Sequence, residues 1–440
     1  MPRLLFVAYY FAPETAVATR RAARIARSLA DRGWLVDVVA RELRLAESVD
    51  PALWRDHPGV TVHRAPVLSA KQHARAWRQQ RLQRVAASAP VTSASPAAAT
   101  APSAPASAGQ VAPMRGAART VLDFAHRNFA IPDPEVGFLA PAVALGARLP
   151  RPDVVLATLP PPTAALVGHA LARRFGVGLV LDYRDPWLGT QEFSQLPPWR
   201  QRLETAMERS IVDHGAHAVA TTRGIAETLQ GRYGVDVAYV PNACEPERFA
   251  HVVPRVFAVP TLVYTGNLYG GRGLEQVFAS MARLRAAGQA TPRLCYLGAT
   301  NREAQAQAEA AGVLDLVDLE GMRPAAEALA AMRGATANVN VVGAHHARQI
   351  PAKAFEQIAA RRPILLQTPL PSDTASLLAD VPAVHVVQVG DAAAMDAAIA
   401  ALTVAEVHDA GDAIPALLTV EATIDALEAV LRQAIEQRRP

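Results

Sequence analysis

The feature of this 440-residue sequence that most restricts its fold is a repeated alternation between short apolar runs and longer helical patterns. Near-continuous apolar runs at residues 4–10 and 35–40 flank an alanine- and arginine-rich helical pattern at residues 16–32. The same order recurs from residue 154 and again from residue 261. Buried strands separated by helices are typical of parallel sheets covered on both faces. The alternation therefore predicts an α/β fold, in which the loops that follow the strands lie on the ligand-binding side of each sheet.

The length predicts two domains, because 440 residues exceed what a single core usually supports. We expect a first domain at residues 1–236, a second at 237–405 and a C-terminal helical segment at 406–440, whose apolar spacing allows it to pack back on the first domain. Residues 86–113 consist almost entirely of Ala, Pro, Ser and Thr. They bury too little apolar surface to offset the entropy of ordering, so they predict a disordered insertion within the first domain.

Composition excludes several classes of protein. The net charge of +4 and pI near 9.3 suit anionic ligands, but no nucleic-acid-binding module is present. Cys244 and Cys295 are far apart and form neither a disulfide framework nor a zinc-binding pattern. No apolar run reaches the roughly 18–20 residues of a membrane span, and the apolar start favours a strand over a signal peptide. We therefore expect a cytoplasmic protein with no metal and no nucleic-acid partner.

A basic run extends from Lys71 to Arg84 and contains Trp77 but no acidic residue. Two interpretations remain for it. Basic residues near an anionic membrane each contribute about 1 kcal/mol to binding, which would place the protein at the inner face of the plasma membrane. The alternative is a solvated basic face, because the apolar positions of the run do not form a clean stripe.

A helix, turn and strand are predicted between residues 349 and 366, where Pro351 suits a helix start and Pro363 precedes an apolar run. Lys353 and Glu356 share one face of the first helical turns. Lys353 is one of only two lysines among 44 basic residues. An ammonium group at a helix start suits a phosphate, and a carboxylate can accept two hydrogen bonds from a sugar diol. The alternative is a solvated Lys–Glu pair.

Two predicted loops carry further polar groups. Asp182, Arg184 and Asp185 follow a predicted strand and would either orient an acceptor hydroxyl or pin the loop through an internal Arg–Asp pair. A glycine-rich turn from Gly266 to Gly273 lets backbone N–H groups approach a pyrophosphate that Arg272 would neutralise. This turn matches neither the P-loop nor the dinucleotide-binding fingerprint.

Taken together, these motifs resemble the retaining glycosyltransferases of family 4. The matching stretches occur in the order of that family and cover nearly the whole chain: Phe11-Ala12-Pro13 with Arg20, Asp182-x-Arg184-Asp185-Pro186-Trp187, Val240-Pro241-Asn242 with Phe249, Tyr264-Thr265-Gly266-Asn267 with Arg272-Gly273, and Pro351-Ala352-Lys353-x-Phe355-Glu356 with Arg362-Pro363-Ile364. The resemblance implies the GT-B architecture, with two Rossmann-like domains facing a cleft.

The resemblance also implies roles for individual residues. Lys353 and Arg272 would bind the diphosphate of a nucleotide sugar, and Glu356 would bind its ribose hydroxyls. Five further residues would complete the donor-binding and catalytic sets: Gly266, Asn267 and Arg323 on the donor side, with Asp182 and Asp185 at the reacting centre. Pro13, Arg20 and Arg184 would contact the acceptor. No metal or cofactor is implied, because cations and a helix N-terminus neutralise the leaving group.

The implied reaction moves a hexosyl or N-acetylhexosaminyl unit from a nucleoside diphosphate sugar to a hydroxyl of a glycan or lipid-linked acceptor, with retention, in cell-surface polysaccharide synthesis. The sequence departs from the family at the first glutamate of its Glu-x7-Glu motif, where Arg348 stands. It also has Ala16-Val17-Ala18 in place of a Gly-Gly pair. These departures leave an alternative open: a catalytically inactive GT-B-like scaffold in a polysaccharide assembly complex.

Overall fold

The computed structural model describes residues 1–46, 48–68, 130–268, 273–343, 346–404 and 414–437. Three features predicted from the sequence lie outside the described residues: the insertion at 86–113, the basic run from Lys71 to Arg84, and Arg272. The predictions for them stand as predictions.

The described residues form two parallel sheets, which confirms the predicted α/β fold. The first sheet has the strand order β3-β2-β1-β4-β5-β6-β7. Its strands are Arg3–Val7 (β1), Leu35–Arg41 (β2), Val60–Ala65 (β3), Val154–Leu159 (β4), Gly178–Tyr183 (β5), His217–Ala220 (β6) and Val237–Tyr239 (β7). Leu4 pairs with Val36 of β2 on one side and with Val154 of β4 on the other.

The second sheet has six strands in the order β10-β9-β8-β11-β12-β13. They are Thr261–Thr265 (β8), Arg293–Leu297 (β9), Val317–Leu319 (β10), Ala337–Val341 (β11), Ile364–Thr368 (β12) and Val384–Gln388 (β13). In both sheets the chain order reverses beside one central strand. Since ligands of open α/β sheets bind where the order reverses, β1/β4 and β8/β11 are the two positions to examine for function.

Helices connect these strands. They are Val17–Asp31 (α1), Leu139–Gly146 (α2), Thr163–Phe175 (α3), Gln191–Ser194 (α4), Pro198–Asp213 (α5), Arg223–Tyr233 (α6), Glu275–Ala286 (α7), Asn301–Ala310 (α8), Ala325–Gly334 (α9), Lys353–Ala359 (α10), Asp373–Leu378 (α11), Ala392–Val404 (α12) and Val420–Glu436 (α13). The helix predicted near Pro351 begins at Lys353, with the Pro351 carbonyl accepting from the Ala354 amide at 2.9 Å.

Burial explains which strands the sequence reveals. Every residue of β4, β5, β11 and β12 is buried. β4, β5 and β12 contain apolar runs in the sequence, whereas Asn338 and Asn340 alternate with apolar residues in β11. The edge strands β3 and β13 are largely half-buried and carry polar residues, and the sequence analysis did not identify them. The apolar pattern of the sequence therefore predicts the central strands of each sheet but misses one edge strand in each, β3 and β13.

The chain divides into two compact units. The first comprises Met1–Leu181, Pro186–Ala216 and Ala434–Pro440, and the second comprises Asp182–Asp185 and His217–Gln433. Within the first unit, the end of α13 contacts the start of β5, where an added Cβ on Gly178 would lie 2.4 Å from the Ala434 carbonyl oxygen. The domain limits predicted after residues 236 and 405 stay a prediction.

Candidate functional site

The strongest candidate site lies in the second unit, where the chain order of its sheet reverses. β8 is hydrogen-bonded to β9 on one side and to β11 on the other, so the turn after β8 and the loop after β11 start at the same edge. Gly266 follows β8 directly, and Lys353 begins the helix that the loop after β11 leads into. The Lys353 ammonium nitrogen lies 3.5 Å from the Thr265 carbonyl oxygen. Two stretches predicted separately from the sequence therefore meet here.

The ammonium group of Lys353 is held over an aromatic ring. Its nitrogen lies 3.6 Å from the centre of the Tyr264 ring, and Tyr264 itself is buried in β8. A cation over a ring face is attracted by the ring quadrupole, by about 1–2 kcal/mol when partly desolvated. Lys353 is half-buried, so water screens its charge less than that of an exposed lysine. The arrangement presents a fixed positive charge beside the turn after β8.

The turn after β8 is tightly packed against the loop after β9. Gly266 has a φ of +111°, a value that favours glycine, and a Cβ on Gly298 would lie 2.1 Å from the Gly266 carbonyl oxygen. The Asn267 side-chain oxygen accepts from the Ala299 amide at 2.7 Å, and the Leu268 amide donates to the Thr300 hydroxyl at 2.8 Å. Asn267 thus fixes the shape of the turn, while its predicted contact with a ligand stays a prediction.

Glu356 lies one turn after Lys353 and forms an ion pair that the sequence did not suggest. The Arg248 guanidinium donates to its carboxylate oxygen Oε1 at 2.6 Å. Arg248 belongs to a short 3-10 helix, Pro246–Phe249, which follows β7. The only sequence signal for it is the motif that ends at Phe249, because 108 residues separate the two partners.

Arg323, the remaining donor-side residue, lies beyond the edge strand β10. Its guanidinium is 3.4 Å from a Glu320 carboxylate oxygen, and the other oxygen of Glu320 is 2.7 Å from Arg255. The Cys295 thiol also donates to Glu320 at 3.5 Å. Burial and the neighbouring carboxylate raise the pKa of Cys295 to about 12, so the thiol stays protonated. Contact of Arg323 with a donor stays a prediction.

Three of the predicted residues lie at the carboxyl end of β5: Asp182 within the strand, and Arg184 and Asp185 in the loop that follows it. Asp182 is fully buried, whereas Arg184 and Asp185 are half-buried. Thr221 anchors the loop, since its amide donates to the Tyr183 carbonyl at 3.0 Å and its hydroxyl to the Arg184 carbonyl at 2.8 Å. The backbone of this loop is therefore fixed from the end of β6. The catalytic and acceptor roles of the three side chains stay predictions.

In the first unit, the turn after β1 holds the predicted residue Pro13. The half-buried Arg64 donates to the Phe11 carbonyl at 3.4 Å and to the Ala12 carbonyl, which fixes the turn from the end of β3. Burial lowers the pKa of Arg64 to about 10. Arg20 lies half-buried in the second turn of α1. Arg64 could not be predicted from the sequence as part of this turn, because 52 residues separate it from Ala12.

A buried polar cluster adjoins this turn. Glu14 accepts two hydrogen bonds from Arg41, whose guanidinium lies over the rings of Tyr9 and Tyr10. Close by, Asp133 accepts from the amide and hydroxyl of Thr163 at 2.6 and 2.8 Å and from the Glu135 amide at 2.8 Å. Burial and the Asp133 carboxyl raise the pKa of Glu135 to about 7. These residues place both acidic and basic side chains beside the ends of β1 and β4, and one of them, Glu135, changes its protonation state near pH 7.

Arg348, which stands where the family has a glutamate, is directed to α6. Its guanidinium donates to the Gly224 carbonyl at 3.0 Å and to the Thr228 hydroxyl at 3.1 Å. Its own carbonyl accepts from the Thr222 hydroxyl at 2.9 Å. The arginine therefore anchors the loop after β11 to the start of α6, within the second unit.

Two classes of feature are absent from the part of the chain that the structure describes. No group of three or more His, Cys, Asp or Glu side chains is arranged to hold a metal ion there. Among the same residues, no helix has the length and apolar character needed to cross a membrane.

Comparisons with known proteins agree on one fold. Residues 104–243 match the family model described as a glycosyl transferase 4-like domain. The structure resembles α,α-trehalose 6-phosphate synthase from Burkholderia multivorans, with a TM-score of 0.63 and 14% identity over 100% of both chains. It also resembles WaaG, a glycosyltransferase involved in lipopolysaccharide biosynthesis, with a TM-score of 0.52 and 15% identity over 99% of this chain and 98% of that one.

A third similar structure was determined with a nucleotide bound. Anabaena HepE in complex with UDP has a TM-score of 0.53 and 11% identity, over 99% of both chains. No curated protein sequence matches the chain. At these identities the structural likeness establishes the fold, and the sequence match identifies one domain.

Proposed function

Because this chain carries a glycosyl transferase 4-like domain on a GT-B fold, we propose that it transfers a sugar from a nucleoside diphosphate sugar to a hydroxyl group. The proposed acceptor is a glycan or a lipid-linked glycan, and the proposed reaction retains the anomeric configuration. The transferred unit is a hexosyl or N-acetylhexosaminyl group. The proposal follows the family resemblance of the motifs and the likeness to WaaG and to the UDP complex of HepE.

One observation carries the proposal: Lys353 lies beside the turn after β8, at the position where the strand order of the second sheet reverses. Ligands of open α/β sheets bind at such positions. The turn places a glycine backbone without a Cβ next to a fixed ammonium group, which suits the oxygens of a diphosphate. Arg272 follows in the same glycine-rich stretch and is proposed as the second cation.

The chemistry of the transfer suits this arrangement. When the bond between the sugar and the diphosphate breaks, negative charge grows on the leaving diphosphate oxygen. A cation placed at that oxygen stabilises the transition state more than the ground state, and therefore accelerates the reaction. Lys353 and Arg272 would supply that charge. Glu356 would bind the ribose, while Asp182 and Asp185 would act at the reacting sugar.

Acceptor binding is proposed for Pro13, Arg20 and Arg184. Arg64 donates hydrogen bonds to the Phe11 and Ala12 carbonyls and thereby fixes the shape of the turn at Pro13. A fixed turn is suited to hold the acceptor hydroxyl in one position. A cytoplasmic protein that binds the inner face of the plasma membrane through its basic run from Lys71 to Arg84 would have access to lipid-linked acceptors.

The proposal is tested by incubating the purified chain with nucleotide sugars and lipid-linked acceptors. Nucleoside diphosphates that bind the folded state are first identified by thermal stabilisation, since a ligand at 100 times its Kd adds about 2.7 kcal/mol. The corresponding sugars are then supplied with and without acceptor. We expect nucleoside diphosphate release that depends on acceptor, and a product whose anomeric configuration, measured by NMR, is that of the donor.

Two results would contradict the proposal. Release of nucleotide at the same rate without acceptor would identify a hydrolase. Binding of nucleotide sugars with no transfer to any acceptor in the panel would instead favour the inactive scaffold, for which Arg348 in place of a glutamate is the supporting observation.

A further inference from the structure

Arg248 is a charged side chain to which the proposed reaction assigns no role, yet it contacts the carboxylate assigned to the ribose. Its guanidinium donates to Glu356 Oε1 at 2.6 Å, and the two side chains are only 24% and 26% exposed. An ion pair of this length with both partners partly desolvated is stronger and better ordered than an exposed surface pair. The contact therefore fixes the position of the Glu356 carboxylate.

Both partners of this ion pair rest on rigid parts of the second unit. Arg248 precedes Phe249, which is 2% exposed and packs in a core with residues of β8 and α9. The Phe249 carbonyl accepts from the Arg333 guanidinium at 2.9 Å. On the other side, Glu356 belongs to α10, which is anchored by the buried side chains of Phe355 and Ile358. The two backbones are thus held independently of the ion pair.

We propose that Arg248 is a positioning residue, which keeps the Glu356 carboxylate oriented to accept hydrogen bonds from the ribose hydroxyls of the donor. The inference rests on the proposed function, and it names the part of the donor that is recognised. A carboxylate offers about four acceptor positions, so one hydrogen bond from Arg248 to Oε1 does not prevent a diol from donating to the same carboxylate. The hydrogen bond restricts the rotation of the carboxylate, which lowers the entropy lost when a diol binds.

A purely structural ion pair would have a different consequence. Its loss would weaken all ligands of the unit alike, through altered packing or stability. A positioning role predicts a loss that depends on the ribose hydroxyls, and on nothing else in the ligand. The chemistry of the ligand therefore separates the two roles.

The test measures Kd by calorimetry for UDP, GDP, ADP and CDP, and for the 2′,3′-dideoxy analogue of whichever binds best. We expect Arg248→Ala to weaken the best ribonucleotide about 10-fold, on the scale of one hydrogen bond to a charged group. The same variant should leave the Kd of the dideoxy analogue unchanged. Arg248→Lys should recover part of the loss, because it restores the charge without the fork.

Arg283→Ala is the matched control. It removes an ion pair of the same length, 2.6 Å to Asp396, from the surface formed by α7 and α12 of the same unit. We expect this variant to bind all the nucleotides as the wild type does. Thermal unfolding of each variant checks that the fold is retained.

Each remaining outcome has a definite meaning. Equal losses for the ribonucleotide and its dideoxy analogue, or no loss at all, would overturn the positioning role while leaving the proposed function standing. Tighter binding by Arg248→Ala would show that Arg248 competes with the ribose for Glu356, and would also overturn it. Failure of the wild type to bind any of the four diphosphates would overturn the proposed donor class, and this inference with it.

Discussion

At the scale of single residues, the titratable cluster of the first unit has a consequence for stability. Glu135 has a pKa of about 7 in the folded chain, above the ordinary value of 4.5, because burial and Asp133 disfavour its charge. A raised carboxyl pKa means that the folded state holds the proton more tightly than the unfolded state does. Protonated Glu135 therefore stabilises the folded state fully below pH 4.5, and this stabilisation is lost as the pH rises through 7.

We expect Glu135→Gln to be more stable than the wild type at pH 8 and equally stable at pH 4. Glutamine mimics the protonated acid at every pH, so it avoids a penalty of up to about 3 kcal/mol for ionising Glu135. Urea unfolding at the two pH values measures the difference. Glu192→Gln, which changes an exposed acid of the same unit, is the control and should show no such dependence. Equal effects of Glu135→Gln at both pH values would rule out the raised pKa as their cause.

The candidate residues show how far single positions can be predicted from the sequence. Lys353 could be identified because lysine is rare in this chain and because proline, lysine and glutamate occur together at a helix start. Arg248 and Arg64 could not be identified in this way, because their hydrogen-bond partners are distant in the sequence. Arg248 is 108 residues from its partner Glu356, and Arg64 is 52 residues from Ala12. One arginine among many carries no local signal for such a contact.

At the scale of elements, the strands that could be predicted were those with two covered faces. β4, β5, β11 and β12 are buried throughout, and apolar composition alone predicts all of them except β11, which contains two asparagines. The order of strands within each sheet could not be predicted, because it depends on contacts between distant segments. That order is what places Gly266 and Lys353 together, so the sequence supplied the residues of the candidate site and the fold supplied their arrangement.

The contact between the last helix, α13, and the start of β5 leads to a prediction at this scale. We expect Gly178→Ala to destabilise the chain by about 1–3 kcal/mol, because its Cβ would lie 2.4 Å from the Ala434 carbonyl oxygen of α13. Gly231→Ala is the matched control: no atom lies within 4 Å of the added Cβ, and alanine in α6 should stabilise by about 0.5–1 kcal/mol. Thermal unfolding measures both. Unchanged stability of Gly178→Ala would show that α13 does not pack here in solution.

At the scale of the whole molecule, the proposed sugar transfer depends on one electrostatic interaction. Two parallel sheets define the fold, and residues 104–243 match the model of a glycosyl transferase 4-like domain. Many functions share a fold, however, and only the residues at a site can specify a reaction. In this chain the specifying feature is the ammonium group of Lys353 over the Tyr264 ring, beside the turn that begins at Gly266.

The most direct test is the turnover number of Lys353→Ala, measured as nucleoside diphosphate released in the presence of donor and acceptor. We predict a fall of about 100-fold or more, the scale of losing one group that stabilises developing negative charge. Arg283→Ala should retain wild-type turnover, and both variants should unfold at temperatures near that of the wild type. Wild-type turnover by folded Lys353→Ala would contradict the account, because the leaving diphosphate would then be stabilised without this cation.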